Sequence, residues 1–171
     1  LPKRYVEDVK AVPGVSAVTY FNWFGGKLPG KEDQFFGTMA VDLKSFLDVY
    51  DEIYVPPDQK ANLLADRRGA MVGASLARQY GWKPGDRVTL DGTIFPGQWE
   101  FNVDAVYTAT KKSIDQSSLY FHWDYLNESL PEIQREQVGW IASKVPNASQ
   151  AATVAKKIDA MFEPRDIQTL S

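Results

Sequence analysis

Ser75, His122 and an aspartate at 104 or 115 are the side chains of this 171-residue sequence whose types and order could do covalent chemistry. Gly73-Ala74-Ser75-Leu76-Ala77 approximates the G-x-S-x-G turn that presents a nucleophilic serine between a strand and a helix, and Asp104, Asp115 and His122 follow in the order of an α/β-hydrolase triad. In such a triad the imidazole takes the serine proton and the carboxylate orients the imidazole. Three features weigh against it. Ala77 replaces the second glycine, the sequence has one histidine in all, and the long run of βα units that holds such an elbow is missing. Ser75 reads better as a residue of a helix N-terminus, where its hydroxyl can bond a free backbone N–H.

Other chemistries find less support. Without cysteine there are no disulfides, thiolate metal sites or thiol nucleophiles. One histidine and scattered carboxylates do not make a metal centre, and Asp42, Asp48 and Asp51 read as solvated turn and helix positions. Neither a Walker A sequence nor G-x-G-x-x-G occurs, so any nucleotide hydrolysis belongs to another chain or domain. His122 reads as a packed or surface residue. The net charge of −3 is interspersed, with no basic stripe for nucleic acid and no polybasic run for an anionic membrane surface.

The elements that must position these residues are legible from periodicity. Tyr5, Val6, Val9 and Val12 share one helical face, stopped by Pro13-Gly14. Val15 to Phe21 and Phe35 to Asp42 read as strands, the second with Phe35, Gly37, Met39 and Val41 on one side. Helices are expected over 43–50, 57–67 and 74–80, the last following a short buried strand over 69–73 and ending at Gly81 in a left-handed cap. Pro84-Gly85 predicts a type II turn before a strand over 87–90, and Asp91-Gly92 a hairpin. Over Trp99 to Tyr107, Trp99, Phe101, Val103, Ala105 and Tyr107 alternate with a mostly polar set, which predicts one dry face. Strands over 117–122 and 137–145 flank a short helix near 123–128. The final helix carries the stripe Ala151, Val154, Ala155, Ile158, Met161 and Phe162, with Asn147 and Gln150 as a capping box and Pro164 as its stop. This order predicts an α+β fold.

Aromatic residues make up 13% of the sequence, and two groups of them fall at strand ends and breaks. Tyr20-Phe21-Asn22-Trp23-Phe24 runs into a glycine-rich loop, and Ile53-Tyr54-Val55-Pro56-Pro57 marks another break. Rings on loops either plug the core or serve interfaces. Phe21, Trp23, Phe24 and Tyr54 are the candidate contacts with a partner or substrate; Trp23, Trp99 and Trp140 are alternatives for a ligand pocket. No run approaches the roughly 18–20 apolar residues of a membrane span. The opening Leu1-Pro2 and the strand-like ending Asp166-Ile167-Gln168-Thr169-Leu170-Ser171 suggest a piece of a longer chain.

As an ordered set, several motifs resemble the extracytoplasmic domain of MacB-like ABC transporter permeases. Gly69-Ala70-Met71-Val72-Gly73-Ala74-Ser75-Leu76-Ala77-Arg78-Gln79-Tyr80-Gly81-Trp82-Lys83-Pro84-Gly85-Asp86-Arg87-Val88 is similar to that family's buried strand and its "lA…yGwk.GD.v.l" segment. Val12-Pro13-Gly14-Val15, the Trp99–Tyr107 strand, Val138-Gly139-Trp140 and the Ala151–Phe162 helix match its other landmarks in order.

The resemblance implies a periplasmic domain of a bacterial inner-membrane permease of the MacB/FtsX/LolC type, with one membrane helix before residue 1 and three after residue 171. It implies a porter-like βαβ-type subdomain formed by both chain ends, 1–48 and 117–171, with a smaller β-rich, Sabre-like subdomain inserted at 49–116. It further implies no catalysis and no cofactor in the domain itself, ATP being bound by a separate ATPase domain or subunit. The expected partners are a second permease copy, the cytoplasmic ABC ATPase, and a periplasmic adaptor or other envelope protein. The competing readings are a ligand-binding sensor domain of a membrane receptor and, less well supported, a serine hydrolase built on Ser75 and His122.

Overall fold

The computed structural model describes residues 1–31 and 33–162. Its elements are α1 (Tyr5–Lys10), β1 (Ala17–Trp23), β2 (Gly37–Val41), α2 (Leu43–Val49), β3 (Ile53–Tyr54), α3 (Pro57–Ala65), β4 (Gly69–Gly73), α4 (Ala74–Tyr80), β5 (Arg87–Asp91), β6 (Gln98–Ala109), β7 (Ser118–His122), α5 (Trp123–Ser129), β8 (Trp140–Lys144) and α6 (Ala151–Phe162). The fold is α+β. The strands form one mixed sheet in the order β3-β6-β4-β7-β2-β1-β8, with β5 pairing the first part of β6. Strands from 49–116 join those from the two chain ends through β4 and β7, which pair antiparallel at Ala70↔Phe121, Met71↔Tyr120 and Val72↔Leu119.

Helices cover both faces. Val6 and Val9 of α1, Leu76 of α4, Trp123 and Leu126 of α5, and Val154 and Ile158 of α6 pack with Ala40, Val72, Phe101 and Phe121. On the other face Leu43, Phe46 and Leu47 of α2 and Leu63 of α3 pack with Val41, Met71, Ala105, Tyr107 and Tyr120. Burial on two sides explains why β4 reads as an unbroken run of small and apolar residues. Burying a large apolar side chain fully is worth roughly 1.5–3 kcal/mol.

The long strand β6 departs from the alternation expected of it. Ala70 pairs with Val103 and Met71 with Ala105, which leaves Asp104 as an extra residue in a bulge. Trp99, Phe101 and Val103 therefore face the α1/α4/α5/α6 side, whereas Ala105 and Tyr107 face α2 and α3. All five are buried, but against two cores, because one inserted residue reverses the facing of everything after it. The bulge also changes how β6 meets α3: the Val106 N–H donates to Gln59 Oε1 at 3.0 Å.

Smaller differences have local causes. Asp91 and Gln98 close the β5–β6 ladder, so the Asp91-Gly92 hairpin has a loop over 92–97 rather than a two-residue turn. Gly92 N–H donates to the Gly97 carbonyl at 2.8 Å, and Gly97 takes φ +111°, open to glycine. Phe35 stands before β2 and is exposed. Asn147 caps a 3₁₀ turn over Ala148–Gln150, its Oδ1 accepting from the Ser149 N–H at 3.0 Å, before α6 begins. Gly81 adopts φ +70° at the end of α4, as expected. The Phe162 side chain, the stop at Pro164 and the strand expected over 166–171 lie outside the described residues. Among the described residues no helix is long and apolar enough to cross a membrane.

Candidate contact surface

Strand alternation divides the aromatic segment of β1 between the two faces. Tyr20 turns toward Trp123, edge-on at 5.2 Å between ring centroids, with Lys3 Nζ 5.0 Å from the Trp123 ring. Phe24, just past the strand, is fully buried among Trp99 (5.2 Å), Phe101 (6.2 Å) and Phe121 (5.1 Å). Phe24 is thus a core residue, and the surface role expected of it is corrected. Its neighbour Gly26 leaves room for that ring, since a Cβ there would lie 2.8 Å from Phe24 Cε2.

Phe21 and Trp23 point to the α2 face. Phe21 stacks on Trp140 of β8 at 5.6 Å and meets Phe46 of α2 edge-on at 6.3 Å. Trp23 stacks on Phe35 at 6.0 Å. Phe35 is 76% and Trp140 38% exposed, so the stacked pairs form an open aromatic strip across β8, β1 and the approach to β2. A surface groove of about 450 Å³ adjoins it, lined by Phe21, Val49, Tyr50, Ala142, Ser143 and Val145. The Lys144–Asp51 ion pair borders this groove, and the lysine holds the Asp51 carboxyl below the usual carboxylate range. Burial raises the Tyr50 hydroxyl above the ordinary phenol value. Tyr54 does not join the strip: it is 52% exposed on β3, paired with Thr108 at the opposite end of the sheet order.

The proposed triad residues are held apart. Ser75 lies at the Gly73 end of β4, its N–H donating to the Gln116 carbonyl at 3.1 Å and its Oγ accepting from Arg78 Nη2 at 3.4 Å. Asp115 shares that end, where its Oδ2 accepts from Ser118 Oγ at 2.8 Å. His122 follows Phe121, which pairs with Ala70 at the other end of β4, and its Nε2 donates to the Leu63 carbonyl at 2.7 Å. Roughly 13 Å of strand separates the two ends. Of the tryptophans read as alternatives for a ligand pocket, Trp99 is buried in the core with Phe24, whereas Trp23 and Trp140 lie on the strip. Among the described residues no group of three His, Asp or Glu could hold a metal ion.

Residues 1–161 match the family of the MacB-like periplasmic core domain. The chain belongs to that family. The MacB-like domain is similar in fold to the extracellular domain of the noncanonic ABC-type transporter YknZ from Gram-positive bacteria, at 15% identity and TM-score 0.67, covering 98% of this chain and 86% of that one. It is similar to the periplasmic region of MacB from Actinobacillus actinomycetemcomitans, at 13% identity and TM-score 0.64, covering 96% and 74%. A domain of a putative permease protein from Porphyromonas gingivalis gives 15% identity and TM-score 0.61, covering 93% and 75%. A search of curated proteins finds no match. The MacB-like domain is accordingly an extracytoplasmic part of a transporter permease. Two of its strip residues, Phe35 and Trp140, were not among the four contacts expected from sequence. Phe35 was legible in part, since it shares the side of Met39, which pairs with Trp23. Trp140 joins the strip through the Phe21↔Trp140 register of β1 and β8, which local pattern does not specify.

Proposed function

We propose that this domain relays motion and makes contacts for a membrane permease, and makes or breaks no bonds itself. In this reading the permease works as a dimer with an ABC ATPase that binds ATP on the cytoplasmic side, and no cofactor resides in the domain. The observation that carries the proposal is the open aromatic strip of Phe21, Trp23, Phe35 and Trp140 on a face that α2 and α3 otherwise close. Exposed, stacked rings give large contact area at low entropic cost, as expected where an adaptor or other envelope protein seats. The two-part division, 49–116 against 1–48 with 117–171, is retained as part of the proposal. Relative movement would bend at the crossings near 49 and 116 and be resisted by the β4–β7 pairing.

Because this chain has no cysteine, Phe35→Cys adds a unique labelling site once any cysteine outside it is replaced. With an environment-sensitive probe there in the full permease and its ATPase, we expect the probe to become shielded when ATP and the envelope partner are added. Accessibility unchanged through the ATP cycle would overturn the contact role. For the two-part movement, hydrogen exchange should show the backbone near 49–52 and 111–116 opening more readily than β4 and β7; uniform protection across those crossings would remove it.

A further inference from the structure

The bulge that reverses the facing of β6 also delivers an acid to a place where no base meets it. Asp104 Oδ2 is buried beneath the turn between α3 and β4, and no N–H or O–H donor of the described residues reaches it. The group it meets is the carboxyl of Asp66, at the end of α3. Asp66 is held from other sides: Oδ2 accepts from Asn102 Nδ2 at 3.0 Å and Oδ1 from the Arg68 N–H at 3.1 Å. His122 of β7 spends its Nε2 on the Leu63 carbonyl of α3. The two arginines of the turn are engaged outward, Arg67 with Glu128 of α5 and Arg68 with Glu100 of β6 at 3.4 Å, the latter guanidinium also lying 5.5 Å from the Tyr125 ring. Gly69 completes the site. A Cβ there would run into Asp104 Oδ2 and come within 2.8 Å of the Asp66 backbone carbonyl, so only glycine leaves room for the Asp104 carboxyl beneath the turn.

Two adjacent carboxylates with no cation between them repel, whereas one proton between them makes a hydrogen bond. We propose that Asp66 and Asp104 form a proton-held clasp tying the end of α3 to the bulge of β6, and that deprotonation loosens it. Desolvation, followed by the hydrogen bond to Asp66 and its charge, pushes the Asp104 carboxyl up to about 7. Burial works against the charge on Asp66, but its hydrogen bonds with Asp104, Asn102 and the Arg68 N–H, with the nearby His122, hold it below the usual carboxylate range. An unfolded aspartate titrates near pH 3.9, so from about pH 4 to about 7 the folded chain keeps a proton that the unfolded chain has lost. The contribution of Asp104 to stability is complete below the unfolded value and falls away as the pH rises through about 7. Outside the cytoplasmic membrane the pH follows the medium, and an alkaline medium would loosen the end of α3 against the sheet, with Leu63 and the Gln59–Val106 bond still holding the helix.

The test is urea unfolding of the 171-residue chain and of its Asp104→Asn variant from pH 5 to pH 8. The amide keeps the shape of the acid and can donate to Asp66 at every pH. The two chains differ only at position 104, so the ratio of their folding constants isolates the pair. Relative to the variant, the folding constant of the native sequence should drop by up to about tenfold per pH unit and level off above pH 7. Parallel curves would overturn the clasp. Should Asp104→Asn fail to fold, a carboxyl carbon titration of the native chain by NMR decides: an aspartate titrating near pH 7 supports the clasp, and all aspartates titrating below about pH 5 sink it.

Discussion

Two aromatic clusters grow from the end of β1 and the residue that follows it, and they end differently. Phe24 is enclosed by Phe95, Trp99, Phe101 and Phe121, which come from the β5–β6 loop, β6 and β7. Phe21 and Trp23 stack on Trp140 and Phe35, and those outer rings meet solvent. The residue types are the same in both clusters. What differs is whether elements distant in sequence supply cover, so a run of aromatics in a sequence does not by itself say which rings are surface. The exposed cluster is the one to which we assign the proposed contact role; the enclosed one lies in the core between sheet and helices.

The comparison can be broken most directly at Phe24. Phe24→Ala should cost about 3–5 kcal/mol in urea unfolding, the loss expected when a fully buried aromatic leaves a cavity. A cost under about 1 kcal/mol would mean the enclosed cluster is not closed. Gly26→Ala should follow at about 1–3 kcal/mol, because its Cβ would press on the Phe24 ring and on Leu90 Cδ1. The smallest effect is expected at the open cluster. Trp23→Ala should lower stability by about 0.5–1.5 kcal/mol through the lost stack on Phe35, while impairing the full permease more than either core change impairs it per unit of stability lost. Equal costs at Trp23 and Phe24 would erase the distinction between the clusters.

Much of the fold was legible because its signals are local. The β4–α4 junction, with small apolar residues running into an amphipathic turn and Gly81 after it, needs only neighbouring residues to be read, and it stands where expected. The stripe of α6 likewise puts Val154 and Ile158 into the core. The dry face of β6 misled for a physical reason. Alternation records that Trp99 through Tyr107 are buried at every second position, and a sheet covered on both sides satisfies that record whether or not a bulge intervenes. Asp104 looked like one more residue of the wet column, and nothing near it in sequence announces Asp66.

The candidate site divides along the same line. Aromatics at a strand end stand out in a sequence, and of the four that do, Phe21 and Trp23 lie on the open strip while Phe24 is buried and Tyr54 lies at the far end of the sheet. The order Gly73, Ser75, Asp104 or Asp115, His122 imitated a catalytic arrangement, and antiparallel pairing of β4 with β7 put the serine and the histidine at opposite ends.

From sequence alone came the α+β class, most of the helices and strands, the lack of thiol chemistry and the ordered motifs that tie residues 1–161 to MacB-like domains. These depend on residue type and on periods of two and 3.6, which every local stretch carries within itself. Only the tertiary structure decided which rings remain outside, that β6 changes face at Asp104, and that Asp104 lies against Gly69 and the carboxyl of Asp66. Those outcomes depend on register and cover between segments dozens of residues apart, and a pairing shift of one residue would reverse them.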